Sequence, residues 1–163
     1  MKKLFIALLL ITPFGLNAQK ITTIEAEGKK LIVADMTFMG KITWGGHEQI
    51  GIPARSESNG KANTNAIVVA VGNNPGYEGR IYAAKVCDTL TAGGFKDWYL
   101  PCKEETKILY TNFQKLKLDE KMSLWSSTEA SGTTAVTVYL YSGVFYDVQK
   151  VDQCHFVCVR KPD

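Results

Sequence analysis

Four cysteines, Cys87, Cys102, Cys154 and Cys158, constrain this 163-residue chain more than any other feature. The closing stretch from Cys154 to Arg160 is rich in β-branched and aromatic residues, and a strand there puts Cys154, Phe156 and Cys158 on one face. Two cysteines four positions apart on a strand are separated by roughly 13 Å, beyond the reach of a disulfide. Each must meet a partner elsewhere, so Cys87 and Cys102 pair with them in one of two connectivities. One bridge with two buried thiols is the alternative. A zinc site is disfavoured, because fourteen residues separate Cys87 from Cys102 and His155 faces away from the cysteines.

Whether those cysteines oxidise depends on where the chain goes, and its first residues address that. Lys2 and Lys3, the apolar run Leu4 to Ile11 and the small-residue end Leu16-Asn17-Ala18 have the layout of a secretory signal peptide over residues 1–18. The apolar run is too short to span a bilayer. Cleavage after Ala18 takes two of the 19 basic residues against 16 acids, so the net charge falls from +3 to +1. No membrane span remains, and the basicity that would suit nucleic acid is gone. The expected destination is secreted, periplasmic or cell-surface, where an even cysteine count means disulfides.

The rest reads as one α+β unit, with two helices packed on an antiparallel sheet. Residues 19–43 form a leader with strands at Thr22–Glu27 and Lys30–Met36 about a Gly28-Lys29 turn. A polar, glycine-rich stretch to Asn63 follows. Ala66–Val71 is open between strand and helix, its β-branched residues favouring a strand. Helices are expected near 79–92, ended by Gly93-Gly94, and near 103–116, with Glu104 and Glu105 at the positive end. Thr133–Tyr141 and Val144–Lys150 form a hairpin about Ser142-Gly143, which pairs Tyr139 with Tyr146 and Leu140 with Phe145. Large apolar groups on both faces make this pair the centre of the sheet.

Catalytic chemistry finds little footing. His47 and His155 are the only histidines, and Ser126-Ser127 lacks the glycines of a nucleophile elbow. No Cys-x-x-Cys occurs, and Asp97 with Glu104 or Glu105 has the placement of helix-start acids. The chain is therefore expected to be non-enzymatic, with no cofactor or metal. Tyr99, Tyr139, Tyr141 and Tyr146 would stack on sugar rings if exposed. Lys103, Lys107, Lys115, Lys117 and Lys121 would serve an anionic glycan if unpaired.

Several segments taken together carry a family resemblance. They are Asn63-Thr64, Tyr82-Ala-Ala-Lys-Val-Cys87, Gly93-Gly-Phe-Lys-Asp-Trp-Tyr-Leu-Pro101, Trp125-Ser-Ser-Thr-Glu129 and Cys158-Val-Arg160. From Trp44 to Arg160 the chain resembles the Lcl C-terminal domain family, named after a bacterial collagen-like adhesin, so residues 44–161 form the expected domain. The resemblance implies a compact, disulfide-tied α+β domain distantly similar to the C-type lectin-like fold. It supplies no catalytic residues, and the named adhesin's domain binds sulfated glycosaminoglycans and trimerises. It also favours Cys87 facing Cys158, which leaves Cys102 for Cys154. Trp98 and Trp125 become apolar anchors, Pro101 a rigid corner, Asp97 a turn acceptor and Glu129 the partner of Arg160. Ligand contacts are expected on loops, with Arg55 and Asn59 in the polar loop and Tyr99 and Trp125 on the adjoining surface. The implied function is an exported recognition module for a glycan or an envelope protein. A structural component of the envelope is the alternative, and a hydrolytic enzyme a more distant one.

Overall fold

A computed structural model describes residues 20–46, 49–72 and 81–163. The signal-peptide reading, His47 and the start of the first expected helix lie outside the described residues. Strands β1 (Ile21–Ala26) and β2 (Lys29–Asp35) form a hairpin about Glu27 and Gly28. Both turn residues have positive φ, 53° and 72°, the geometry that matches the twist of a two-residue hairpin. The turn lies one residue earlier than the sequence suggested, because Gly28 occupies its second position.

The expected single sheet is two. The order β1-β2-β6 places β6 (Val157–Arg160) beside the leader hairpin, while β3 (Ser123–Glu129), β4 (Thr134–Tyr139) and β5 (Phe145–Gln149) form the second sheet. All pairings within both sheets are antiparallel. A lone parallel bridge, Leu124 to His155, links one sheet to the segment leading into the other. Four helices stand among the described residues: α1 (Gly60–Val71), α2 (Ala83–Thr89), α3 (Lys103–Thr111) and α4 (Phe113–Leu116).

The last strand is the spine. Every residue of β6 is buried, and the period of two divides its side chains between two cores. Cys158, with Phe156 just before the strand, joins Trp44, Ile67, Ala84, Trp98 and Trp125 in the first. Val157 and Val159 join Leu31, Val33, Leu109 and Val138 in the second. β3 divides the same way, with Leu124 in the second core and Trp125 in the first. By contrast β5 is an edge strand with three exposed residues, so the hairpin is not central.

Its register also differs from the simple two-residue turn. Thr137 faces Tyr146 and Val138 faces Phe145. Leu140 is fully buried in the second core and donates its N–H to Met122 at 3.0 Å. That pull takes the chain out of the ladder after Tyr139, and the loop closes with Val144 accepting from the Tyr139 N–H at 3.0 Å.

Where the sequence left strand and helix open, α1 forms. Asn59 caps it by accepting the Ala62 N–H at 3.0 Å, satisfying one of the first turn's orphan donors. The helix starts against the 100–102 segment so closely that a Cβ on Gly60 would meet Glu105 Oε2, with the Cys102 nitrogen at 2.7 Å and the Leu100 oxygen at 2.8 Å. Backbone atoms cannot step aside as side-chain ends do. Gly60→Ala is expected to destabilise by about 1–3 kcal/mol, the usual range for overpacking, and a chemical-denaturation midpoint equal to wild type would refute this contact. The second expected helix breaks at Asn112, whose amide donates to Ile108 O at 3.0 Å and Glu25 O at 3.2 Å.

Cys87 and Cys158 form a disulfide, with Cα atoms 5.3 Å apart, that ties α2 to β6. The Cys102–Cys154 bridge does not form, and both thiols are free and buried. The two residues are committed to different elements. Cys102 caps α3 and donates its N–H to Glu105 Oε2 at 2.9 Å, whereas Cys154 exchanges backbone hydrogen bonds with Ile42.

Candidate functional site

The sequence motifs converge on one buried polar network. Glu129 is its hub: the Ile50 and Gly51 N–H groups donate to its two oxygens at 2.8 and 2.6 Å, and Arg55 Nε lies 3.3 Å away. Lys150 Nζ sits 2.6 Å from Glu129 Oε1, with neither side chain reaching solvent, and 4.8 Å from the Trp44 ring centre. Glu129 therefore pairs with Lys150 and Arg55, not with Arg160. The polar loop after residue 49 is fastened to β3 by this carboxylate. Ser56 tightens it further, exchanging hydrogen bonds with the Asn63 side chain at 3.1 and 2.6 Å.

Arg160 instead binds Asp97, Nε to Oδ1 at 2.8 Å, and lies over the Phe95 ring at 3.8 Å from its centre. Trp98 Nε1 donates to the carbonyls of Ala92 and Phe95, and Trp125 Nε1 to Ile42 O at 2.8 Å. The Tyr99 hydroxyl donates to Glu105 Oε1 at 2.9 Å, and Pro101 O accepts the Ser127 N–H at 2.7 Å. Tyr99 and Trp125 are 3% and 0% exposed, so neither ring forms a surface for a ligand. Asn59 serves the α1 cap and the Arg55 Nε faces Glu129, although the Arg55 side chain remains 42% exposed.

These contacts set an acid sensitivity. Burial raises the Glu129 carboxyl, but the Lys150 hydrogen bond and the Ile50 and Gly51 N–H groups outweigh it and hold its pKa below 4.5. Chiefly through its Arg160 hydrogen bond, Asp97 is likewise held below 3.8. A carboxyl with a lowered folded-state pKa adds stability above its ordinary pKa and loses it as pH falls through the folded value. The urea midpoint is expected to hold on the acid side down to about the ordinary carboxyl range and fall below it. Glu129→Gln is expected to flatten that slope. An unchanged slope would contradict the hub.

Among the surface tyrosines, the β4–β5 turn is the prominent group. Leu140 points into the core, with Tyr141 on one side open to solvent and Tyr139 on the other half-buried. Tyr141 is 67% exposed and Tyr146 49% exposed. The Tyr139 and Tyr141 rings lie 6.1 Å apart at 39°. The turn is seated by Gly143, at φ 70°, where a Cβ would meet the Tyr110 ring of α3 at 2.5 Å. No sequence pattern distinguished these tyrosines from Tyr99; burial of Leu140 did.

Two lysines of the expected patch are occupied: Lys103 by Glu57 at 2.8 Å and Lys107 by Glu27 at 3.3 Å. A cleft of about 490 Å³ between the β1–β2 turn and the start of α3 is lined by both charges, including Lys29, Lys30, Lys161, Glu104 and Glu105. Lys29 and Glu104 pair across it at 3.0 Å. Among the described residues no group of three or more His, Cys, Asp or Glu is arranged to hold a metal ion. No helix among them is long and apolar enough to cross a membrane. Compared with known proteins, the chain matches no protein-family model and no curated protein.

Proposed function

We propose that this protein is an exported, non-catalytic recognition module that binds a glycan through the Tyr139–Tyr141 turn. The carrying observation is the exposed Tyr141 ring, tilted against the half-buried Tyr139 ring on a turn anchored from below by Leu140 and Gly143. Tyrosine suits this task because its ring offers an apolar face to a sugar and its hydroxyl a hydrogen bond at low entropic cost. Pairing of Lys103 and Lys107 with acids weakens the case for a sulfated ligand and favours a neutral sugar. The resemblance to the Lcl C-terminal domain family and its distant C-type lectin-like fold supports recognition as the task. The signal-like start and the buried Cys87–Cys158 bridge fit an oxidising, extracytoplasmic setting.

A glycan array at low and high salt, run beside Tyr141→Ala, tests the reading. Neutral-sugar binding that survives high salt and is lost in Tyr141→Ala at unchanged melting temperature is expected. Binding unaffected by Tyr141→Ala places the ligand elsewhere. Capture of an envelope protein with no glycan hit replaces the reading with an assembly role.

A further inference from the structure

The sheet edges are not treated alike. Along β6, the Tyr99 and Val159 backbones exchange hydrogen bonds at 2.9 Å each way. Along β3, Trp125 donates to His155 O at 2.9 Å, and the Ser127 N–H goes to Pro101 O. Beside β1, α3 packs on the strand and the Asn112 amide takes the outward Glu25 carbonyl at 3.2 Å.

The outer edge of β5 has no such cover among the described residues. Hydrogen bonds Tyr139 N to Val144 O and Lys150 N to Thr133 O mark which pairs bond across the hairpin. By alternation Tyr146 and Val148 turn their backbone groups toward β4, and Phe145 and Asp147 turn theirs outward. β5 carries no lysine or proline along this edge, the devices by which exposed edges are commonly blunted. Tyr146 and the preceding Val144 are also 49% and 46% exposed.

We propose that β5 is a self-association edge, at which a second copy of the chain adds its own β5 antiparallel about a two-fold axis through Tyr146. Charge selects this register. An axis through Asp147 would set the two Asp147 carboxylates opposite each other, and like charges directly opposed are destabilising. With the axis at Tyr146, the two Tyr146 rings meet on one face. On the other face, Asp147 comes opposite Phe145 of the second copy, and Lys103 Nζ lies 5.7 Å from the Phe145 ring centre. Lys103 already pairs with Glu57 of its own chain at 2.8 Å, so what this register secures is that the two Asp147 carboxylates stand apart, each against an apolar ring. The pairing is isologous and uses up the open edge, so it closes at two chains instead of growing into a fibre. It does not rest on the sugar-stacking reading, because it uses the β5 backbone and Tyr146.

Light scattering of the purified chain across a concentration series tests it. The mass is expected to rise toward twice that of one chain. Asp147→Pro, which removes an outward N–H and no hydrogen bond of the hairpin, is expected to hold the mass at one chain with unchanged melting. If that variant does not fold, Tyr146→Cys decides. Residues opposed at a non-hydrogen-bonded pair have Cα atoms about 4.5 Å apart, close enough for a disulfide. Tyr146→Cys is therefore expected to give a covalent dimer on mild oxidation. A mass of one chain at every concentration overturns the proposal. So does a dimer indifferent to Asp147→Pro, or cross-linking through Asp147→Cys but not through Tyr146→Cys.

Discussion

Lys150→Met is expected to lower the free energy of unfolding by about 3–5 kcal/mol, the cost of leaving one member of a buried ion pair uncompensated. The methionine keeps most of the side-chain length and apolar volume, so the variant tests the charge. Without Lys150 Nζ at 2.6 Å, Glu129 retains the two loop N–H groups and the partly exposed Arg55. The Gly132 carbonyl, 3.0 Å from Nζ, loses that donor. A double-mutant cycle with Glu129→Gln isolates the pair, since groups in contact fail to add by about 0.5–3 kcal/mol. Additive losses would mean that Lys150 contributes through contacts other than Glu129. Because Glu129 also holds Ile50 and Gly51, hydrogen exchange at these two amides is expected to quicken in Glu129→Gln before the sheets open.

Removing the Cys87–Cys158 bridge by a double alanine substitution is expected to cost about 4 kcal/mol on the chain-entropy model, for a closed loop of about 70 residues. The bridge crosses from α2 to β6, and both cysteines are fully buried in the first core. Non-reducing peptide mapping of wild type is expected to show this pair and leave Cys102 and Cys154 as thiols. Burial pushes the Cys102 thiol up to about 12 and the Cys154 thiol up to about 11. Since the thiolate is the reactive form, both are expected to resist alkylation in the folded chain and to label on unfolding. A Cys102–Cys154 peptide in the purified protein would show a rearrangement absent from this structure.

The closing strand was legible because its signal is local. Alternation from Cys154 to Arg160 places residues on two faces whatever lies beyond them, and this excluded a Cys154–Cys158 bridge. The α3 start was legible for the same reason, with Glu104 and Glu105 in its first turn. β3 was hidden: no strand was expected over Ser126-Ser127-Thr128-Glu129, yet all four residues are buried. Their side chains are satisfied by distant partners: Thr128 Oγ1 donates to Ser56 O at 3.0 Å, Ser127 Oγ accepts from the Asn63 amide and Glu129 meets Lys150. A buried polar strand is stable only where such partners converge, and no local pattern records that.

Surface against core at the aromatic residues followed the same division. Tyr99 and Tyr141 are the same residue type in comparable extended or turn segments, yet one hydroxyl is sealed against Glu105 and the other ring is open to solvent. The sequence by itself determined the α+β class, the faces of the last strand and the exclusion of the Cys154–Cys158 bridge, because period, charge placement and covalent reach act within a few residues. Only the tertiary structure decided that the strands divide into two sheets, that Glu129 meets Lys150, that Cys102 and Cys154 stay apart and that Tyr141 faces outward. Each of those outcomes depends on burial shared between segments dozens of residues apart, where the desolvation of a polar group and the contact that offsets it come from different parts of the chain.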